Sequence, residues 1–123
     1  MYYIGIDISK FKHDCAVIDD SGEIVTPSWS FTNDAKGFSQ LKLLLNSLDT
    51  ETRIGLESTG HYGMNLKLFL ESNNFSFMEF NPLLINRFVK SKSLRKTKSD
   101  SIDCMMIAHY LMTVSYTHLR AHE

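Results

Sequence analysis

Four carboxylates at Asp7, Glu57, Asp100 and Asp103 are the residues whose type and placement point to chemistry. Asp7 lies in the middle of an apolar run, Ile4-Gly5-Ile6-Asp7-Ile8, where an inward charge costs several kcal/mol unless it is paired or bound to metal. Glu57 ends a second apolar stretch just before Ser58-Thr59-Gly60, the kind of strand end at which open α/β sheets place ligand crevices. Asp100 and Asp103 are three apart at the expected start of a helix, which would put them on one face and in the favourable field of a helix N-terminus. Oxygen donors from three separate elements, without His or Cys, suit hard cations such as Mg²⁺ or Mn²⁺. Two such ions can activate an attacking oxygen and stabilise the leaving oxygen of a phosphodiester, so the chemistry indicated is phosphoryl transfer.

Each carboxylate also has a plainer role open to it. Asp7 could pair with Lys10, Glu57 could cap the helix that follows, and Asp100 with Asp103 could be ordinary helix-start residues. Joint placement at one sheet edge favours the metal cluster, provided the first and fourth strands are neighbours.

Six cations, Arg87, Lys90, Lys92, Arg95, Lys96 and Lys98, occupy a stretch without an acid directly before Asp100. Their position would draw a phosphate backbone toward the carboxylates, although a charge run of this kind also fits a solvated loop. The net charge of -1 gives no such attraction overall, so distribution matters more than the sum. His61 and Tyr62 follow Gly60 and could reach a substrate at the strand-end crevice. Ser58 and Thr59 lack a nucleophile elbow and an activating His with its acid.

The elements needed to position these groups can be read from periodicity. Residues 2–8, 13–19 and 24–31 read as three consecutive antiparallel strands, the second hairpin turning at Asp20-Ser21-Gly22. Asn33 or Asp34 caps a helix whose apolar positions are Phe38, Leu41, Leu44, Leu45 and Leu48. A fourth strand over 53–56, a helix through Leu66 to Leu70 and a fifth strand over 75–80 alternate in the manner of parallel pairing with right-handed crossovers. A short helix over 83–89 precedes the basic stretch, and a last helix is expected from Ser99 or Asp100 to about Leu111. The fold class is therefore α/β, with a mixed five-stranded sheet flanked by helices.

The length of 123 residues fits one domain, and 43% hydrophobic with 22% charged residues is ordinary for a globular chain. No apolar run reaches the roughly 18 residues of a membrane span, which predicts a cytoplasmic protein. Cys15 and Cys104 each sit in an apolar pattern and are expected as buried thiols. The domain is expected to span 1–113. Residues 114–123, a mixed polar run, are expected to be a tail of foreign or read-through sequence.

Three motifs occur in order: Ile4-Gly5-Ile6-Asp7-Ile8-Ser9-Lys10, Gly55-Leu56-Glu57-Ser58-Thr59-Gly60 and Lys98-Ser99-Asp100-Ser101-Ile102-Asp103. With them the chain resembles the amino-terminal RuvC-like half of the DEDD-type insertion-sequence transposases, relatives of the pilin gene invertases. That resemblance implies an RNase H-like fold, an acidic tetrad of Asp7, Glu57, Asp100 and Asp103, magnesium as cofactor, and excision and insertion of a mobile DNA element. It further implies a guide RNA, a homo-oligomer of the full-length protein, and a second domain carrying a serine nucleophile beyond the present chain, without which the fragment is expected to be inactive. Cys104 replaces the usual Ala after the last Asp. Two rivals remain open from sequence. One is an actin-like or sugar-kinase ATPase fragment, disfavoured by the turn Ser9-Lys10-Phe11-Lys12, which has no Gly for a phosphate. The other is a non-catalytic relic that only binds nucleic acid.

Overall fold

A computed structural model describes residues 1–58, 60–92 and 102–121, the last six as backbone only. Five strands, β1 (Tyr2–Ile8), β2 (Lys12–Asp19), β3 (Ile24–Thr32), β4 (Thr52–Glu57) and β5 (Phe77–Phe80), form one sheet in the order β3-β2-β1-β4-β5. The β1–β2 and β2–β3 pairs are antiparallel, while β1–β4 and β4–β5 are parallel. This is the mixed five-stranded sheet that the strand and helix alternation predicts, and the RNase H-like arrangement that the resemblance implies. Asp19 shapes the second hairpin by accepting the N–H groups of Ser21 and Glu23, and Gly22 supplies the positive φ of 79°.

Period-2 alternation splits the strands between two cores. Ile4, Ile6 and Ile8 of β1, with Ile54 and Leu56 of β4, pack beneath α1 (Ala35–Ser47) and α2 (Met64–Ser72). Asp34 caps α1 by accepting from Gly37 N at 2.9 Å. On the opposite face Tyr3 and Ile18 meet α3 (Pro82–Ser91) and α4 (Cys104–Ala121) through Ile85, Val89, Ile107 and Leu111. The result is a three-layer sandwich with the sheet in the middle.

α4 lies very close to the sheet because the row beneath it is bare. Gly5 pairs with Ala16 on one side and Gly55 on the other. A Cβ on Gly5 would lie 2.1 Å from Cys104 O and 2.4 Å from Ala108 N, and one on Gly55 would lie 3.3 Å from Leu111 side-chain atoms.

Two boundaries differ from the sequence reading. α4 starts at Cys104, not at residue 99 or 100, because Asp103 takes the cap position: its Oδ1 accepts from Met106 N at 2.9 Å and its carbonyl from Ile107 N. The helix also runs past Leu111, the end expected from sequence, to Ala121, with Ser115 buried. Both cysteines are buried free thiols. Among the described residues no helix is long and apolar enough to cross a membrane.

Candidate metal centre

The row of the sheet next to Ala16, Gly5 and Gly55 is acidic. Asp7 pairs directly with Asp14 of β2, and the Ile6↔Leu56 register brings Asp7 and Glu57 side by side where the β1–β4 ladder ends. Two-residue alternation puts Asp7 and Glu57 on the same face as Gly5 and Gly55, the face that α4 covers. The close approach of α4 then brings its cap, Asp103, toward the same place.

The electrostatics follow from this placement. Asp7 is partly buried, and its carboxyl is pushed up to about 6, first by loss of solvent and then by the charges of Glu57, Asp14 and Asp103. Burial also raises Glu57. Each effect acting on Asp7 raises its pKa, so a concentrated negative site faces α4, with no compensating cation among the described residues.

The plainer roles can now be judged one at a time. Lys10 does not pair with Asp7; its Nζ lies 5.1 Å from the centroid of the Phe11 ring. Glu57 does not cap α2, whose N-cap is Gly63 without a side-chain hydrogen bond. Asp103 does cap its helix, a duty that uses one carboxylate oxygen.

The structure thus brings together Asp7, Glu57 and Asp103, while Asp100 lies outside the described residues. Asp103 stands as the cap before α4 and not inside it, and whether Asp100 shares its face lies outside the described residues. Among the described residues no three His, Cys, Asp or Glu side chains close around a single point. The donor set nevertheless fits a hard divalent cation in kind: oxygen only, partly desolvated and, among the described residues, without a neutralising partner.

Of the basic residues, Arg87 and Lys90 are exposed on α3 and Lys92 is exposed just after it. Arg95, Lys96 and Lys98 lie outside the described residues, as does Thr59. His61 and Tyr62 occupy a 3-10 turn (Gly60–Gly63) directly after β4, both exposed, with ring centroids 4.5 Å apart.

Asp14 was missed from sequence. Its signal was present, since it alternates with buried His13, Cys15 and Val17 on a strand and so must face the other layer. It accepts a hydrogen bond from the Ser30 hydroxyl on β3, which holds it in the acidic row.

The chain is similar to known proteins over most of its length. Residues 4–123 match the IS110 DEDD transposase family, described as Transposase. The pilin gene-inverting protein of Moraxella bovis is 34% identical over 112 residues, covering 88% of this chain and 33% of the relative. Its counterpart in Moraxella lacunata is 33% identical over 111 residues, with the same coverage. The mini-circle putative transposase for IS117 of Streptomyces coelicolor is 28% identical over 120 residues, covering 94% of this chain and 28% of the relative. The chain therefore spans about a third of the length of the curated relatives it matches.

Proposed function

The chain belongs to the IS110 family of DEDD transposases, and from that premise we propose that Asp7, Glu57, Asp100 and Asp103 hold Mg²⁺ or Mn²⁺ for the cleavage and exchange of DNA strands. The observation that carries this reading is the placement of Asp7, a partly buried carboxylate paired across β1–β2 with Asp14 and next to the strand end that carries Glu57, and in no ion pair among the described residues. In a folded protein such a group stays protonated or meets a metal.

When bound, the ions supply activation of the attacking oxygen and stabilisation of the leaving oxygen of a phosphodiester. The chain's own residues do the rest. Asp7, held in the central strand, is the rigid member. Glu57 stands at the strand end, where a substrate has access from the following turn. Asp103 is oriented by its cap hydrogen bond and keeps its second oxygen for the site. Arg87, Lys90 and Lys92, continuing in sequence to Arg95, Lys96 and Lys98, guide the phosphate backbone toward the carboxylates.

The same reading, applied to the whole protein, includes a guide RNA, assembly of several copies and action in the cytoplasm. The names of the relatives, pilin gene inversion and transposition, support DNA rearrangement as the process. Family membership stands against the ATPase rival.

Calorimetric and melting titrations with Mg²⁺ and Mn²⁺ test the metal site. Saturable heat and a rise in Tm are expected for the chain, with both lost in Asp7→Asn. Absence of a response in the wild-type chain supports the relic instead, and an equal response in both proteins overturns the assignment of Asp7.

A further inference from the structure

The ladder that joins β1 to β4 ends at Ile6↔Leu56, one residue short of Asp7 and Glu57. Past that point the two chains leave the sheet as the β1–β2 turn and the 3-10 turn, so the placement of the carboxylates depends on what holds those turns. Both converge on one side chain. Asn33, between β3 and α1, donates through Nδ2 to Lys10 O at 3.1 Å and to Tyr62 O at 3.4 Å, and its backbone N donates to Phe11 O at 2.9 Å. A primary amide has two N–H donors, and here one goes to each turn. Gly63 adds a packing contact, backed onto the end of β1 where a Cβ would lie 2.8 Å from Ile8 Cδ1.

The amide is oriented from its other side as well. Two carbonyl oxygens require its NH2, which leaves Oδ1 buried and directed at the fully buried ring of His13. His13 Nδ1 accepts from Ser9 N at 3.2 Å, so the ring hydrogen sits on Nε2, the complement of Oδ1. Neither Oδ1 nor Nε2 has another partner among the described residues. His13 thus holds the start of the β1–β2 turn through Ser9 and the orientation of Asn33 through Nε2.

We propose that Asn33 is a positioning residue for the metal centre: by holding the turn after Asp7 to the turn after Glu57, it keeps the two carboxylates side by side beyond the end of the ladder, where one ion can take both. Asn33 supplies no ligand and acts only through the backbone of the two turns. This rests on the metal reading of the carboxylates. Groups that orient metal ligands from behind typically change affinity by roughly 10- to 100-fold when removed.

Calorimetric titration of the whole chain with Mn²⁺ tests the role. Asn33→Ala is expected to weaken binding roughly tenfold. Asn73→Ala, which loses a bond of the same kind to Phe69 O at 2.9 Å but at the far end of α2, should keep wild-type affinity. Hydrogen exchange in EDTA reads the tie without metal. In the wild type the Asn33 Nδ2 hydrogens should exchange more slowly than those of exposed Asn46, and in Asn33→Ala the Ser9 amide should lose protection. Wild-type affinity in Asn33→Ala, an equal loss in Asn73→Ala, or Asn33 Nδ2 hydrogens that exchange as fast as those of Asn46 overturns the proposal, the last even where Asn33→Ala does not fold. A wild-type chain that takes up no Mn²⁺ loses the metal centre and the positioning role with it, whereas one that binds Mn²⁺ as tightly with Ala at position 33 loses the positioning role alone.

Discussion

Gly5 on β1 and Ala108 on α4 touch backbone to backbone: a methyl at position 5 would lie 2.4 Å from Ala108 N. That contact sets the depth at which α4 rides over the sheet, and hence how near Asp103 comes to Asp7.

Gly5→Ala should therefore both destabilise the fold and open the site. Relieving the overlap requires movement of helix backbone, and overpacking of this kind typically costs about 1–3 kcal/mol, occasionally more. Gly55→Ala should be milder, since its nearest obstacles are side-chain atoms of Phe80 at 2.9 Å and Leu111 at 3.3 Å. Urea unfolding should rank wild type above Gly55→Ala above Gly5→Ala, and Gly5→Ala should also show the weaker metal response. Equal stability of the two variants would contradict a backbone contact at Gly5.

Asp7 imposes a pH dependence of definite sign. Its folded pKa of about 6 stands above the ordinary 3.8, so the folded state binds the extra proton between those values. The stability this contributes is complete below about pH 4 and is lost as pH rises through 6. In EDTA, Asp7→Asn should thus be more stable than wild type at pH 7.5, the advantage vanishing near pH 4. Saturating Mg²⁺ should reverse the order at neutral pH by stabilising only the wild type. Melting curves at the two pH values, with and without metal, provide the check.

His13 should act in the opposite direction. The ring is fully buried against Phe31, its Nδ1 accepts from Ser9 N at 3.2 Å, and burial lowers its pKa from the usual 6.5. A lowered His keeps its stability above 6.5 and gives it up as pH falls through the folded value. NMR titration should show this ring protonating below the free-histidine range. A His13 pKa at or above 6.5 would refute the account.

Asp103 combines two duties that separate by substitution. Asp103→Asn keeps an oxygen for Met106 N and should leave stability nearly unchanged while weakening metal binding. Asp103→Ala loses the cap as well and should cost about 1 kcal/mol in chemical denaturation. Unimpaired metal affinity in both variants would remove Asp103 from the centre.

The sequence by itself determined what depends on neighbours along the chain. Alternation in β1 put Asp7 on the face opposite Ile4, Ile6 and Ile8, and Asp19 with Gly22 specified the hairpin, because side-chain direction and φ are properties of a few adjacent residues. The three motifs were equally legible, and the family match covers them. Tertiary structure alone decided which strands lie beside each other, and so that Asp7 has Glu57 on one side and Asp14 on the other. It also decided that α4 begins at Cys104, since Asp103 could serve equally well inside a helix or as its cap until packing on Gly5 placed the first turn. Those outcomes depend on contacts between residues tens of positions apart, whose energy lies in the fit of layers and leaves no period in the sequence.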